Sequence, residues 1–444
     1  MAKFALPIKS TYVPDWGAWE CLREFVQNAK DEEDDRGSEM KISHRGMKLR
    51  IENAGADMDR SVLLMGQTSK AHRGDLRGQF GEGLNLAILA GIRAGFSIVI
   101  YTQTERWTAT LEPSDDYGGE ECLTIYSRSL PNRRTSVEVE IDGISKETWK
   151  LLSDSFLFLA KIPDNRIVRV EGKGAVLLEE HRKGHIYAKG VFVSKMDRFD
   201  HGYDMDKLEL DRDRRMVNVW DLQYTLGALF QDAVDRRPEL LRADVYRMLR
   251  DGSEDTKHLH YHATGDVGDS IVEMFHEEHG ANAVAVANTM ESQQVDRVGK
   301  KGVVVSEALK EILQKRMGKP GDIVQEGLRG VTATYAWSDL DDAEKAVLTA
   351  STSALDAIFP EDRPGVLTRV EIVDFRDENL GGTCELNSGT IRLARRSIDT
   401  VPRCLRVLVH EEAHAISEAG DGTDDHQHVI EDLWMRLWAA KGAS

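Results

Sequence analysis

Apolar positions first recur at helical spacing between residues 16 and 35. Trp16, Trp19, Leu22, Phe25 and Val26 fall on one side before "DEEDDRG" ends the run in charge and glycine. "MKLRIENAG" alternates briefly as a strand and then turns, and "GQFGEGLNLAILAGIRAG" reads as a glycine-rich loop entering an apolar helix. From about residue 96 to 142 the period shortens to two, predicting the strands "FSIVIYTQ", "RWTATLE", "CLTIYSRS" and "TSVEVEID". A second strand-rich block, "RIVRVEGKGAVLLEE" and "GHIYAKGVFVSK", precedes a stretch that turns helical near Val219. "SIVEMFHEEHGANAVAVANT" and "KGVVVSEALKEILQKRMG" then predict a small helix–strand–helix unit, and "GKPGD" reads as a linker. From about Thr332 a last unit is expected: a helix around "DLDDAEKAVLTASTSALDAIF", strands "RVEIVDF" and "GTIRLA", and a final helix containing "HEEAH". This order predicts an α+β multidomain chain divided at residues 1–145, 146–250, 251–330 and 331–444.

The 444 residues leave room for several domains, and 41% apolar with 30% charged residues is a soluble globular balance. No run approaches the ~20 apolar residues of a membrane span, and the N-terminus has no signal-peptide core. Cys21, Cys122, Cys384 and Cys404 are scattered without a CxxC pair, which predicts reduced thiols in a cytosolic protein. The formal charge, 58 − 76 = −18, disfavours non-specific nucleic-acid binding without excluding a local basic patch.

Glu24, Asn28 and Asp31 stand at i, i+4 and i+7, sharing one helical face. A carboxylate and an amide so placed suit a magnesium–phosphate site: Asn28 offers a carbonyl ligand, and Glu24 can orient and deprotonate a water. Taken alone, the same residues make an ordinary solvated face. "ENAGADM", "GQTSK" and "GQFGEGL" follow within a short span, and their glycines let backbone N–H groups approach phosphate oxygens at a helix N-terminus.

The ordered set "REFVQNAKDEED", "ENAGADM", "GQTSK", "GQFGEGL" resembles the GHKL ATPase superfamily of gyrase, heat-shock chaperones, histidine kinases and MutL, with a MORC-like flavour. The resemblance implies a Bergerat-type ATP-binding α/β sandwich, with ATP and magnesium as ligands. Glu24 takes the general-base position and Asn28 the magnesium position, with Asp31 beside them. Gly78, Gly81 and Gly83 take the phosphate-loop positions, and Thr68, Ser69 and Lys70 begin the ATP lid. The family's adenine-reading aspartate falls on Asn53, and the second glycine of its DxGxG box on Asp57. "IYAKGVFV" and "LELDRDRRMV" resemble the transducer region that follows in MORC-like proteins, where a basic residue reaches the γ-phosphate; Lys195, Arg212 and Arg214 are the candidates. "DRDRR" is read equally well as an exposed charge run.

In "HEEAH", His410 and His414 lie one helical turn apart, so both imidazoles can reach one tetrahedral Zn²⁺ while Glu411 faces the open position. "DGTDDHQHVIEDLW" resembles the turn of SprT-like and related HExxH metallopeptidases, whose third ligand is a histidine shortly after the turn. His426 fits best, His428 second, with Glu431 and Asp425 as distant options. The resemblance implies a zincin-like domain, with "GTIRLA" as an edge strand for an extended peptide. "FHEEHG" has the wrong spacing for such a site, and "KHLHYH" would place His258, His260 and His262 on one face only if it were a strand.

Together these features predict a cytosolic ATP-binding protein, paired with a second copy on nucleotide, whose nucleotide state regulates a zinc peptidase acting on protein. The alternative is a chaperone- or MORC-like clamp with a structural or degenerate, non-proteolytic zinc site, holding a protein or nucleic-acid partner. A phage or host-defence role rests only on the pairing of the two modules.

Overall fold

The structure, a computed structural model, describes residues 2–64, 77, 82–211, 214, 216, 218–359 and 365–442. The chain mixes helices with several sheets, as its alternating periodicities predict, and divides into two compact units, Met1–Val267 and Gly268–Ser444.

In the first unit, β1 (Ala2–Lys9), β2 (Met40–Arg45), β3 (Lys48–Ala54), β4 (Ser97–Tyr101), β5 (Glu105–Ser114), β6 (Glu120–Ser129) and β7 (Ser136–Asp142) form one antiparallel sheet in the order β1-β6-β5-β4-β7-β3-β2. Helices α1 (Ala18–Arg36) and α2 (Gly83–Arg93) lie together against it. Leu22, Phe25 and Val26 of α1 meet Ile88 and Leu89 of α2 and the sheet's Ile51, Ile98 and Ile141 in one core. Glu20 starts α1 by accepting the Gly17 N–H at 2.8 Å. Gly37 ends it in the left-handed region, φ 70°, returning its N–H to Glu33 O.

α3 (Lys146–Ser153) leads to β8 (Ile167–Val170), β9 (Gly174–Leu177), β10 (His185–Ala188), β11 (Val191–Lys195) and β12 (Gly202–Met205), ordered β11-β10-β12-β9-β8. Helices α4 (Val219–Arg236) and α5 (Pro238–Asp251) complete this part. "KHLHYH" is not a strand: Leu259–Tyr261 is a short 3-10 turn, and His258 and His262 pack among Trp220, Tyr224 and Tyr261.

The second unit holds most of α6 (Gly265–His279), then β13 (Ala283–Val286), α7 (Thr289–Arg297), β14 (Lys301–Val304), α8 (Glu307–Met317) and α9 (Pro320–Leu328). The strands β13 and β14 pair in parallel. "GKPGD" is a helix start rather than a linker, because Pro320 occupies the first turn of α9, where its missing N–H costs nothing.

β15 (Val331–Tyr335), α10 (Asp342–Asp356), β16 (Val370–Phe375), β17 (Gly382–Glu385), β18 (Thr390–Ala394), α11 (Val401–Ser417) and α12 (Asp424–Gly442) follow. Their sheet runs β15-β16-β18-β17. "GTIRLA" is therefore an interior strand, and the edge beside α11 is β17, with Thr383 opposite Arg392 and Cys384 opposite Ile391. Leu408 and Val409 of α11 join Leu348, Leu355, Ile391, Leu393 and Leu433 in the core beneath it.

Candidate functional site

Two polar clusters stand out, one in each unit. In the first, Glu24 is buried, and Arg23 donates to its Oε1 from Nε at 3.1 Å, with Nη2 also 3.1 Å from that oxygen in an ion pair. Gly83 sits against the other carboxylate oxygen: a Cβ at that position would lie 2.3 Å from Glu24 Oε2. Any side chain at that position would have to displace the Glu24 carboxylate.

Asp31, fully buried, accepts the Arg77 backbone N–H at 3.0 and 3.2 Å and its Nη1 at 3.2 Å. The Arg77 guanidinium also donates to Asp34 at 2.7 Å and to the Lys189 carbonyl at 2.8 Å, and lies over the Phe158 ring. Arg214, at φ 62°, donates to the Arg77 carbonyl. Burial lowers its pKa to about 10, while Glu24 and Asp31 pull it upward and Arg23 and Arg77 push it down. Arg214 of "DRDRR" thus joins the charges of α1.

Asn28 is half-buried on the same helix. Asn53 is buried and donates through Nδ2 to Ala29 O at 2.8 Å and Ser38 O at 2.9 Å, leaving Oδ1 as its acceptor. Its amide ties β3 to the end of α1, a task for which an aspartate has no donor. Lys195 stands apart, exposed and 3.6 Å from Asp197. Thr68, Ser69, Lys70, Gly78, Gly81 and Arg212 lie outside the described residues. The parts that sequence reasoning missed are Arg77 and the Lys189 carbonyl, each far along the chain from α1.

In the second unit, α11 buries Cys404, Leu408, Val409 and Ala413, which turns His410 and His414 to the side facing the start of α12. The rings of His410 and His414 are 5.0 Å apart, and His426, from the first turn of α12, stacks on His414 at 3.8 Å and lies 4.9 Å from His410. His414 Nδ1 is 2.7 Å from Ala419 O. A hydrogen bond donated there leaves the lone pair on Nε2. His426, 3% exposed, has Nε2 3.3 Å from His410 O. His428 and Asp425 are exposed, and Glu431 is exposed beside Gln427.

Asp421 completes the cluster, a residue sequence reasoning passed over within the D-G turn. Its Oδ1 lies 3.1 Å from His410 Nε2 and 3.2 Å from His414 Nε2. One ligand atom from each of His410, His414, Asp421 and His426 lies within 4.8 Å of the others, so this group could hold a metal ion. Neutral imidazole is the ligand form, and burial lowers the His410 pKa toward it; Asp421 opposes the shift, while His414 and His426 add to it. His276 and His279, at the end of α6, join no such group among the described residues.

The paired glutamates of "HEEAH" have separate surroundings. Glu412 is fully buried and held by the Arg369 guanidinium. Glu411 has no such partner among the described residues: burial, with help from Asp421 and against Arg329, raises its pKa to about 8. Gly382 of β17 packs on the same stretch of α11, where a Cβ would lie 2.8 Å from Val407 Cγ1 and 3.1 Å from Glu411 Cγ. The edge strand therefore runs close beside the Glu411 side chain.

Among the described residues no helix is long and apolar enough to cross a membrane. No known protein family matches the chain's sequence, and no curated protein does.

Proposed function

We propose that the chain is an ATP-binding protein of GHKL type whose nucleotide state regulates a zinc-dependent peptidase in its second unit. The observation that carries the peptidase reading is the position of Glu411, between two histidines that converge with a third and alongside the open edge of a sheet. His410, His414 and His426 would hold the zinc, the donor set and count of a catalytic site. Bound there, zinc would supply Lewis acidity toward a scissile carbonyl and an attacking water. Glu411 would accept the proton of that water and return it to the leaving amine. β17 would align an extended substrate by main-chain hydrogen bonds.

The ATP reading draws support from Glu24, Asp31 and Arg214 in one charged cluster, with the start of α2 against the Glu24 carboxylate. Glu24 would orient the attacking water and Asn28 would ligate magnesium.

The test combines metal analysis with two assays. Purified protein is expected to contain one zinc per chain, to cleave an unfolded protein substrate, and to change that rate when ATP is added. Zinc-loaded protein that turns over ATP and cleaves nothing would overturn the peptidase reading; cleavage indifferent to ATP would remove the regulation alone. A second reading is favoured by Asp421, whose carboxylate would bring the set to four protein ligands, the closed count of a structural site. On that reading the chain is an ATP-gated clamp.

A further inference from the structure

The two readings meet at Asp421. Three of the four grouped side chains are carried by helices, His410 on the middle of α11, His414 on the same helix and held through Ala419 O, and His426 buried in the first turn of α12. Asp421 is not. Its side chain is 64% exposed, and among the described residues its carboxylate meets only the two histidines. It stands between Gly420 and Gly422, in the short link joining α11 to α12. Gly422 adopts φ 77°, and Glu418, which ends α11, adopts φ 53°. A carboxylate on such a link can swing away by backbone rotation without disturbing a helix.

A catalytic site keeps a position for water or substrate, whereas a closed one fills it with protein. We propose that Asp421 is an exchangeable fourth metal ligand: it closes the coordination sphere in the resting protein and yields its place to water or a substrate carbonyl when the Glu418–Thr423 link moves. The proposal rests on the zinc-site reading above. It makes one site structural-like at rest and catalytic when opened. In the exchange the metal–carboxylate bond would break and a metal–oxygen bond to the incoming water or carbonyl would form, and the displaced carboxylate would return to solvent.

The experiment uses the full chain loaded with cobalt(II), whose visible spectrum reports ligand number and exchange, alongside zinc competition against a chelator. The variants are Asp421→Ala, Asp421→Asn and, as the anchored control, His414→Ala. Wild-type protein is expected to bind the metal with a spectrum that responds weakly to azide. Asp421→Ala should still bind one metal, about 10-fold or more weakly, show a shifted spectrum, and bind azide at least about 10-fold more tightly. Asp421→Asn should behave in the same direction, and His414→Ala should lose stoichiometric metal. An unchanged spectrum and unchanged zinc affinity in Asp421→Ala would overturn the proposal, because Asp421 would not be a ligand. Loss of metal in Asp421→Ala as complete as in His414→Ala would also overturn it, because the ligand would be permanent. If wild-type protein itself fails to take up metal, the zinc reading fails with it; the first two outcomes leave that reading standing.

Discussion

The two polar clusters differ in how their charge is met. Around α1 the charges are already answered within the chain: Glu24 by Arg23, and Asp31 by Arg77, whose carbonyl in turn receives Arg214. Around α11 three imidazoles and a carboxylate face one another, a group that could hold a metal ion. A buried cluster of donors and acceptors that satisfies itself can be assembled for stability alone. One in which three histidines and a carboxylate converge could also hold a metal ion. The second cluster therefore announces its ligand more clearly than the first.

The sharpest way to break this contrast is to remove Glu411. Glu411→Gln is expected to leave the zinc content unchanged and to reduce peptide cleavage about 10²–10⁴-fold, as measured by initial rates on zinc-matched protein. If cleavage survives, the second cluster is no more catalytic than the first.

Glu24→Ala should lower ATP turnover by about 10²-fold while nucleotide still binds. Unchanged turnover would mean that the Arg23–Glu24 pair is purely structural. For Arg77→Ala, which strips a guanidinium from fully buried Asp31, the expected loss of stability is about 3 kcal/mol, read from the denaturant midpoint. A neutral result would show that the first cluster is not self-satisfied through Arg77. The smallest effect is expected from Asn53→Asp. Introducing the aspartate expected from the GHKL resemblance sets a carboxylate against the carbonyls of Ala29 and Ser38, at a cost of about 1–3 kcal/mol in stability. A more stable variant would mean that Asn53 is kept for its acceptor rather than its donors.

Periodicity made α1, α2, α4 and α11 legible, because each carries a continuous apolar stripe. It missed β17, four residues reading Gly-Thr-Cys-Glu, since a short edge strand needs neither alternation nor bulk. It misplaced the edge onto β18, whose apolar Ile391 and Leu393 instead mark an interior strand. The helical pair His410 and His414 was readable from spacing. Asp421 was not, because an acid between glycines is the ordinary composition of a turn. Nor was Arg77 linked to Asp31, since the two are 46 residues apart and only the fold brings them together.

The brevity of β17 limits what can be recognised there. Four residues of open backbone can pair with only a few residues of a visiting chain, and main-chain pairing is blind to most side-chain identity. On the proposed peptidase reading, such an edge would favour loosened or unstructured polypeptide over any fixed motif. On the same reading, discrimination between substrates would fall to whatever opens the proposed metal site beside that strand.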